Sequence, residues 1–172
     1  MTKRFARPLV AAALLSLLSL SLSTACAHGG RGTRLHLAVN VAADANDNRP
    51  IPVDLVFVWD KKKAAQFGEL TAKDWFAKKP QLRRDDPNAK AFAVTEWEWV
   101  PGQAVPAIDL PVPTGALRWV RAVYVFANYR AEGPHRLRVT PGTAATLDLL
   151  RHGIQLQTAG ASQRETGAAP ER

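Results

Sequence analysis

Residues 35–59 read LHLAVNVAADANDNRPIPVDLVFVW, and this stretch decides the fold. Leu35, Leu37, Val39 and Val41 alternate with His36, Ala38 and Asn40. Successive side chains of a strand point to opposite faces, so a period of two marks a strand buried on one side. Val53-Asp54-Leu55-Val56-Phe57-Val58-Trp59 is β-branched and aromatic at both parities, which predicts a central strand covered on both faces. The connection between them, residues 42–52 (AADANDNRPIP), is longer than the roughly two to five residues of a tight hairpin. Asn and Asp side chains close local turns, and Pro50 and Pro52 stiffen the exit.

Further strand patterns follow outward from this pair. Residues 92–100 alternate. Residues 105–112, with Pro106, Pro111 and Pro113 in or beside them, suit a sheet edge, because proline cannot donate to a ladder. Residues 117–129 are the longest apolar run and the expected core strand; 137–140, 146–150 and 154–157 complete about eight short strands. Turn dipeptides such as Pro101-Gly102 and Pro141-Gly142 separate them, so the expected fold is an all-β antiparallel sandwich. One interruption is helical. Thr71-Ala72-Lys73-Asp74 has capping-box spacing and predicts a helix over residues 72–79, stopped by Pro80, with Trp75 and Phe76 toward the sheet. A second turn is expected over 62–67. Residues 158–172 lack periodicity and bulky apolar groups and read as a disordered tail, leaving 34–157 as the folded part.

The front of the 172-residue chain has a different character. Lys3, Arg4 and Arg7 precede an uncharged apolar run at residues 9–22, then Ser23-Thr24-Ala25-Cys26. That order predicts an export signal over residues 1–25. A membrane span needs about 20 apolar residues, more than this run supplies. The lone cysteine after small residues resembles a bacterial lipobox. The resemblance implies cleavage before Cys26 and lipid on it, palmitate among the acyl chains; the alternative is cleavage after Ala25 with a free thiol. Ala27 and His28, with no Asp after the cysteine, imply sorting to the outer membrane. Each buried CH₂ contributes about 0.8 kcal/mol, so more than one chain anchors stably. The Gly-rich residues 26–33 then serve as a flexible tether.

Cleavage lowers the formal charge from +8 to +5. No Lys/Arg run exceeds Lys61-Lys62-Lys63 and no nucleic-acid motif accompanies it, so a nucleic-acid partner is not expected. Catalytic sets are equally absent from the sequence. The one serine after Cys26 is Ser162, in the expected tail, without the base and oxyanion hole a nucleophile requires. His28, His36, His135 and His152 lack short metal-ligand spacing. Asp44, Asn46 and Asn48 alternate like calcium ligands, but the Gly and final Glu of an EF-hand loop are missing. Glu96 and Glu98, beside Trp97 and Trp99, suggest glycoside chemistry, yet two acids spaced i, i+2 share a solvent face while the tryptophans fill the core. The expectation is therefore a non-enzyme without metal or cofactor, its only added group the lipid on Cys26.

Together, a lipoprotein signal, a strand, an Asn-containing loop, Arg49-Pro50-Ile51-Pro52-Val53, the strand 54–59, Phe67 and Trp75-Phe76, and a late strand ending Ala127-Asn128-Tyr129-Arg130 resemble the TssJ (SciN) lipoproteins of bacterial type VI secretion systems. The resemblance implies a transthyretin-like β-sandwich with an added helical piece. It implies lipid anchoring at the periplasmic face of the outer membrane, and binding to the periplasmic C-terminal domain of the inner-membrane protein TssM. The first interstrand loop would make that contact, here Asn46, Asp47, Asn48 and Arg49. A lipoprotein binding cell-wall glycan or another small ligand through exposed tryptophans is the alternative.

Overall fold

The computed structural model describes residues 33–112 and 119–158, and the backbone of 161–164. The expected leader, Cys26 and most of the tether lie outside these residues. Among the described residues, nine strands form two sheets: β1 (Arg34–Val41), β2 (Ile51–Val58), β3 (Phe92–Trp99), β4 (Ile108–Pro111), β5 (Ala122–Ala127), β6 (Arg136–Val139), β7 (Ala145–Leu149), β8 (Ile154–Thr158) and β9 (Ala161–Arg164). One sheet has the order β4-β1-β7-β8-β9, the other β3-β2-β5-β6. The alternating side chains of β1 bury Leu35, Leu37 and Val39 against the second sheet and leave His36, Ala38 and Asn40 outward. β2 lies between β3 and β5, and every residue of β5 is buried. These doubly apolar strands serve two cores. One fills the sandwich; the other lies between the outer face of the β2–β5 sheet and a helical layer.

That layer is larger than the sequence pattern suggests. α1 (Lys61–Glu69) is capped by Asp60, whose side chain accepts from Lys63 N at 2.8 Å. α2 (Ala72–Asp85) is capped by Thr71, which accepts from Asp74 N at 3.1 Å. α2 does not stop at Pro80 but runs through it to Asp85. Proline costs the helix one hydrogen bond. Trp75 before it and Leu82 after it are both buried in the second core, which holds the helix down on either side.

Two other differences come from long-range pairing. β1 runs parallel to β7, with Leu37 opposite Ala145 and Val41 opposite Leu149; all other strand pairs are antiparallel. About a hundred residues separate the two strands, so no hairpin fixes their direction. The tail expected from residue 158 onward instead supplies the end of β8 and the edge strand β9, with Gln157 opposite Ser162. Backbone pairing to β8 provides the order that its weakly apolar sequence does not.

The sandwich has two ends. At one, β1 begins at Arg34, where Gly142 N donates to Arg34 O at 3.0 Å and Val112 N to Thr33 O at 2.9 Å. At the other, β1 runs into the 42–50 loop, beside the β7–β8 turn: Ala42 N donates to Leu149 O at 2.9 Å.

Candidate partner-binding surface

The 42–50 loop contains a short 3₁₀ turn, Ala45–Asp47, and three consecutive residues with positive φ: Asn46 (48°), Asp47 (51°) and Asn48 (61°). This region disfavours most L-residues, but Asn and Asp enter it more readily because their short polar chains bond locally. The run Asn-Asp-Asn is thus the local sequence reason for a sharply turned tip.

Asn46 was expected among the exposed contact residues; the structure corrects this. Its side chain is only 5% exposed. Its Nδ2 donates to Pro50 O at 3.1 Å, and its Oδ1 accepts from Arg130 N at 2.8 Å. Its backbone N–H donates to Leu150 O at 3.4 Å. Tyr129 Oη also donates to Leu150 O, at 2.9 Å, and the Tyr129 ring stacks on buried His135 at 4.9 Å. Ala45 is fully buried in the sandwich core. One residue therefore ties three loops together: its side-chain amide joins its own loop to the β5–β6 loop, and its backbone N–H reaches the β7–β8 turn. A side chain so engaged is a positioning residue.

Asp47, Asn48 and Arg49 are exposed at the tip. Asp47 Oδ1 accepts from Arg151 Nε at 2.9 Å, across the gap to the β7–β8 turn. That hydrogen bond holds the Asp47 carboxyl below its ordinary pKa, aided by the charge of Arg151 and more distantly by His152 and Arg130. Exposed Arg130, Arg151 and His152 lie on the loops that meet the tip, with Val100 and Leu150 as half-exposed apolar side chains at the same end. The outcome is a mixed-charge surface with apolar spots on a braced backbone. Local sequence marks the 42–50 loop but gives no sign that residues 130 and 151 join it; that requires the β1–β7 pairing.

The other expectations resolve in particular ways. Glu98 is exposed, but Glu96 faces the helical layer: Lys79 Nζ donates to its Oε2 at 3.0 Å and Arg83 pairs with its other oxygen. Hydrogen bonding from Lys79, then the Lys79 and Arg83 charges, lower its pKa, opposite to a general acid's need. Lys79 also reaches Asp54 Oδ2 at 2.9 Å; Asp54 is 1% exposed and accepts from Trp75 Nε1 at 2.7 Å. Sequence reading missed this buried pair, which fastens α2 to the centre of β2. His36 is exposed beside Asp109 at 3.2 Å. No group of three or more His, Cys, Asp or Glu suited to a metal occurs among the described residues. Trp75 and Trp99 are buried and Trp59 and Trp97 packed against the sandwich core, but Trp119, placed by the sequence pattern inside a core strand, precedes β5 and is 79% exposed.

Two sheets, a helical layer on one of them, and a braced polar loop at one end define an all-β sandwich with a helical insertion. No family profile and no curated protein matches the sequence. Solved structures do match. The T6SS lipoprotein TssJ1 from Pseudomonas aeruginosa aligns with a TM-score of 0.55 at 19% identity, over 76% of this chain and 98% of that one. Serratia marcescens Lip, a membrane-bound component of the type VI secretion system, gives 0.51 at 12% identity, over 76% and 99%. A chain from the structure of the T6SS protein TssM C-terminal domain (869–1107) from EAEC gives 0.51 at 14% identity, over 73% and 98%. The chain has the TssJ-like fold.

Proposed function

We propose that the protein is a structural, non-catalytic lipoprotein of a type VI secretion membrane complex. It is held at the periplasmic face of the outer membrane by lipid on Cys26, and its loop end binds the periplasmic C-terminal domain of a TssM-like inner-membrane protein. The observation that carries this reading is the strained, buried-amide brace of the 42–50 loop within a TssJ-like fold. Left-handed residues cost roughly 1–3 kcal/mol each and persist where the surroundings hold them, which preorganises a contact and lowers the entropy lost on binding. The likeness of this chain to a chain in the structure of the TssM C-terminal domain from EAEC supports a place in a type VI secretion membrane complex.

The test is calorimetric titration of the chain with that domain. Replacing Asp47, Asn48 and Arg49 by Gly-Ser-Gly, with Asn46 kept, should weaken binding at least tenfold while the unfolding midpoint stays within a few degrees. Unchanged affinity would overturn the loop assignment. Cys26→Ser should move the protein from the membrane fraction to the soluble periplasm; retention of that variant would overturn lipid anchoring.

A further inference from the structure

The end of the sandwich opposite the loop carries a second surface. Trp119 is the most exposed large apolar side chain among the described residues, at 79%. It lies two residues before Arg121, whose N–H donates to Val58 O at 2.7 Å and whose carbonyl accepts from Arg138 Nη2 at 3.1 Å. Val58 leads through Trp59 and Asp60 into Lys61 and Lys62, both exposed. Trp119, Arg121, Arg138, Lys61 and Lys62 therefore share one end.

Three features suggest a surface with a purpose. First, Lys61, Lys62 and Lys63 fill the first turn of α1, which has no acidic residue. The helix dipole is positive there and favours acids, so three cations work against the fold. Second, carboxylates at this end are engaged. Asp60 caps α1, Asp109 accepts from Arg34 at 2.7 Å, and Asp86 accepts the Lys90, Ala91 and Phe92 N–H groups. Lys61, Lys62, Arg121 and Arg138 make no ion pair among the described residues. Third, the chain from Cys26 enters β1 here. Six residues lie between Cys26 and Thr33, and the seven steps from one to the other reach at most roughly 25 Å.

We infer that this end rests on an anionic lipid bilayer surface, with Trp119 at headgroup level and the four cations against lipid phosphates. Tryptophan favours the membrane–water interface because one part of its ring system is apolar and the other donates a hydrogen bond. Basic side chains are drawn to anionic headgroups within a screening length, about 8 Å at physiological salt. The inference rests on the proposed anchor at Cys26 only for which membrane supplies the surface; the contact itself needs no lipid on the chain. It orients the domain, so the loop end points away from the bilayer.

The test uses the unlipidated chain from Ala27, which retains both cores, in co-sedimentation with phosphatidylethanolamine–phosphatidylglycerol vesicles and with phosphatidylcholine vesicles. Binding is expected to the anionic vesicles, to weaken with salt, and to come with a blue shift of Trp119 emission that Trp119→Ala abolishes. Each cation contributes about fivefold, so Lys61→Gln, Lys62→Gln and Arg121→Gln together should cost about a hundredfold. Titration with the TssM domain should be unchanged by this variant, which shows that it is folded. Equal binding to both vesicle types, or undiminished binding of the folded variant, would overturn the inference. The mass of the chain extracted from cell membranes reports Cys26 lipidation separately: vesicle binding without lipidation removes the anchor and keeps the contact, and lipidation without vesicle binding does the reverse.

Discussion

The two ends of the sandwich solve opposite problems. At the loop end the backbone is strained, with three residues at positive φ, and the side-chain amide of Asn46 fixes it by bonding to a loop 84 residues away in sequence. At the other end Lys61, Lys62, Arg121 and Arg138 make no ion pair among the described residues, so charge rather than fixed shape is on offer. A rigid shape suits a protein partner, which must be matched in geometry; loose cations and a tryptophan suit a fluid surface, which adapts to them.

Breaking the brace should have the largest effect. Asn46→Ala leaves the Arg130 N–H without its acceptor and places a Cβ residue at positive φ, a loss of about 2–4 kcal/mol in urea denaturation. Asn46→Gly keeps the backbone at ease and loses the same bonds, so it should recover part of that stability but not the partner affinity. Recovery of both would show that backbone conformation, not bracing, sets the contact. Next comes the tip itself: the Gly-Ser-Gly replacement of Asp47–Arg49 described above should change affinity and leave stability nearly untouched, the reverse balance to a core defect. Arg151→Gln should be milder, lowering affinity a few-fold at low salt, because the Asp47–Arg151 pair is exposed and screened.

The smallest effect is expected from pH. Arg151 lowers the Asp47 pKa from its ordinary 3.8. A carboxyl with a depressed folded pKa contributes above its unfolded pKa and loses that contribution as pH falls through the folded value. The tip should therefore be indifferent between pH 5.5 and 8 and change only below about 4, as titrations across that range would reveal. A strong dependence near neutrality would overturn the assignment of the pH response to Asp47.

Much of the sandwich was written in period-two alternation. β1, β2, β3, β6, β7 and β8 lie where the sequence pattern puts them, within a residue or two, because each buries one or both faces. The position of the loop was also plain, since the Asn-Asp-Asn run both lengthens it and tolerates left-handed φ. What stayed hidden depends on partners distant in sequence. Asn46 looks like a solvent-facing turn residue until Arg130 and Leu150 arrive. Pro80 looks like a stop until Leu82 docks. Residues 161–164 look like tail until β8 offers an edge. Trp119 looks like core by composition, yet β5 begins only at Ala122, and a tryptophan outside the strand has no reason to turn inward.

The course of β1 has a mechanical consequence. This strand of eight residues, about 26 Å long, begins where the expected tether would enter and ends at the loop proposed to hold the partner. A pull between Cys26 and Asp47 travels along its already extended covalent backbone. The ladders to β4 and β7 lie beside that load path and not in series with it. Tension between two membranes would then be borne by peptide bonds and by the Asn46 brace, and the domain would transmit force without being unravelled strand by strand.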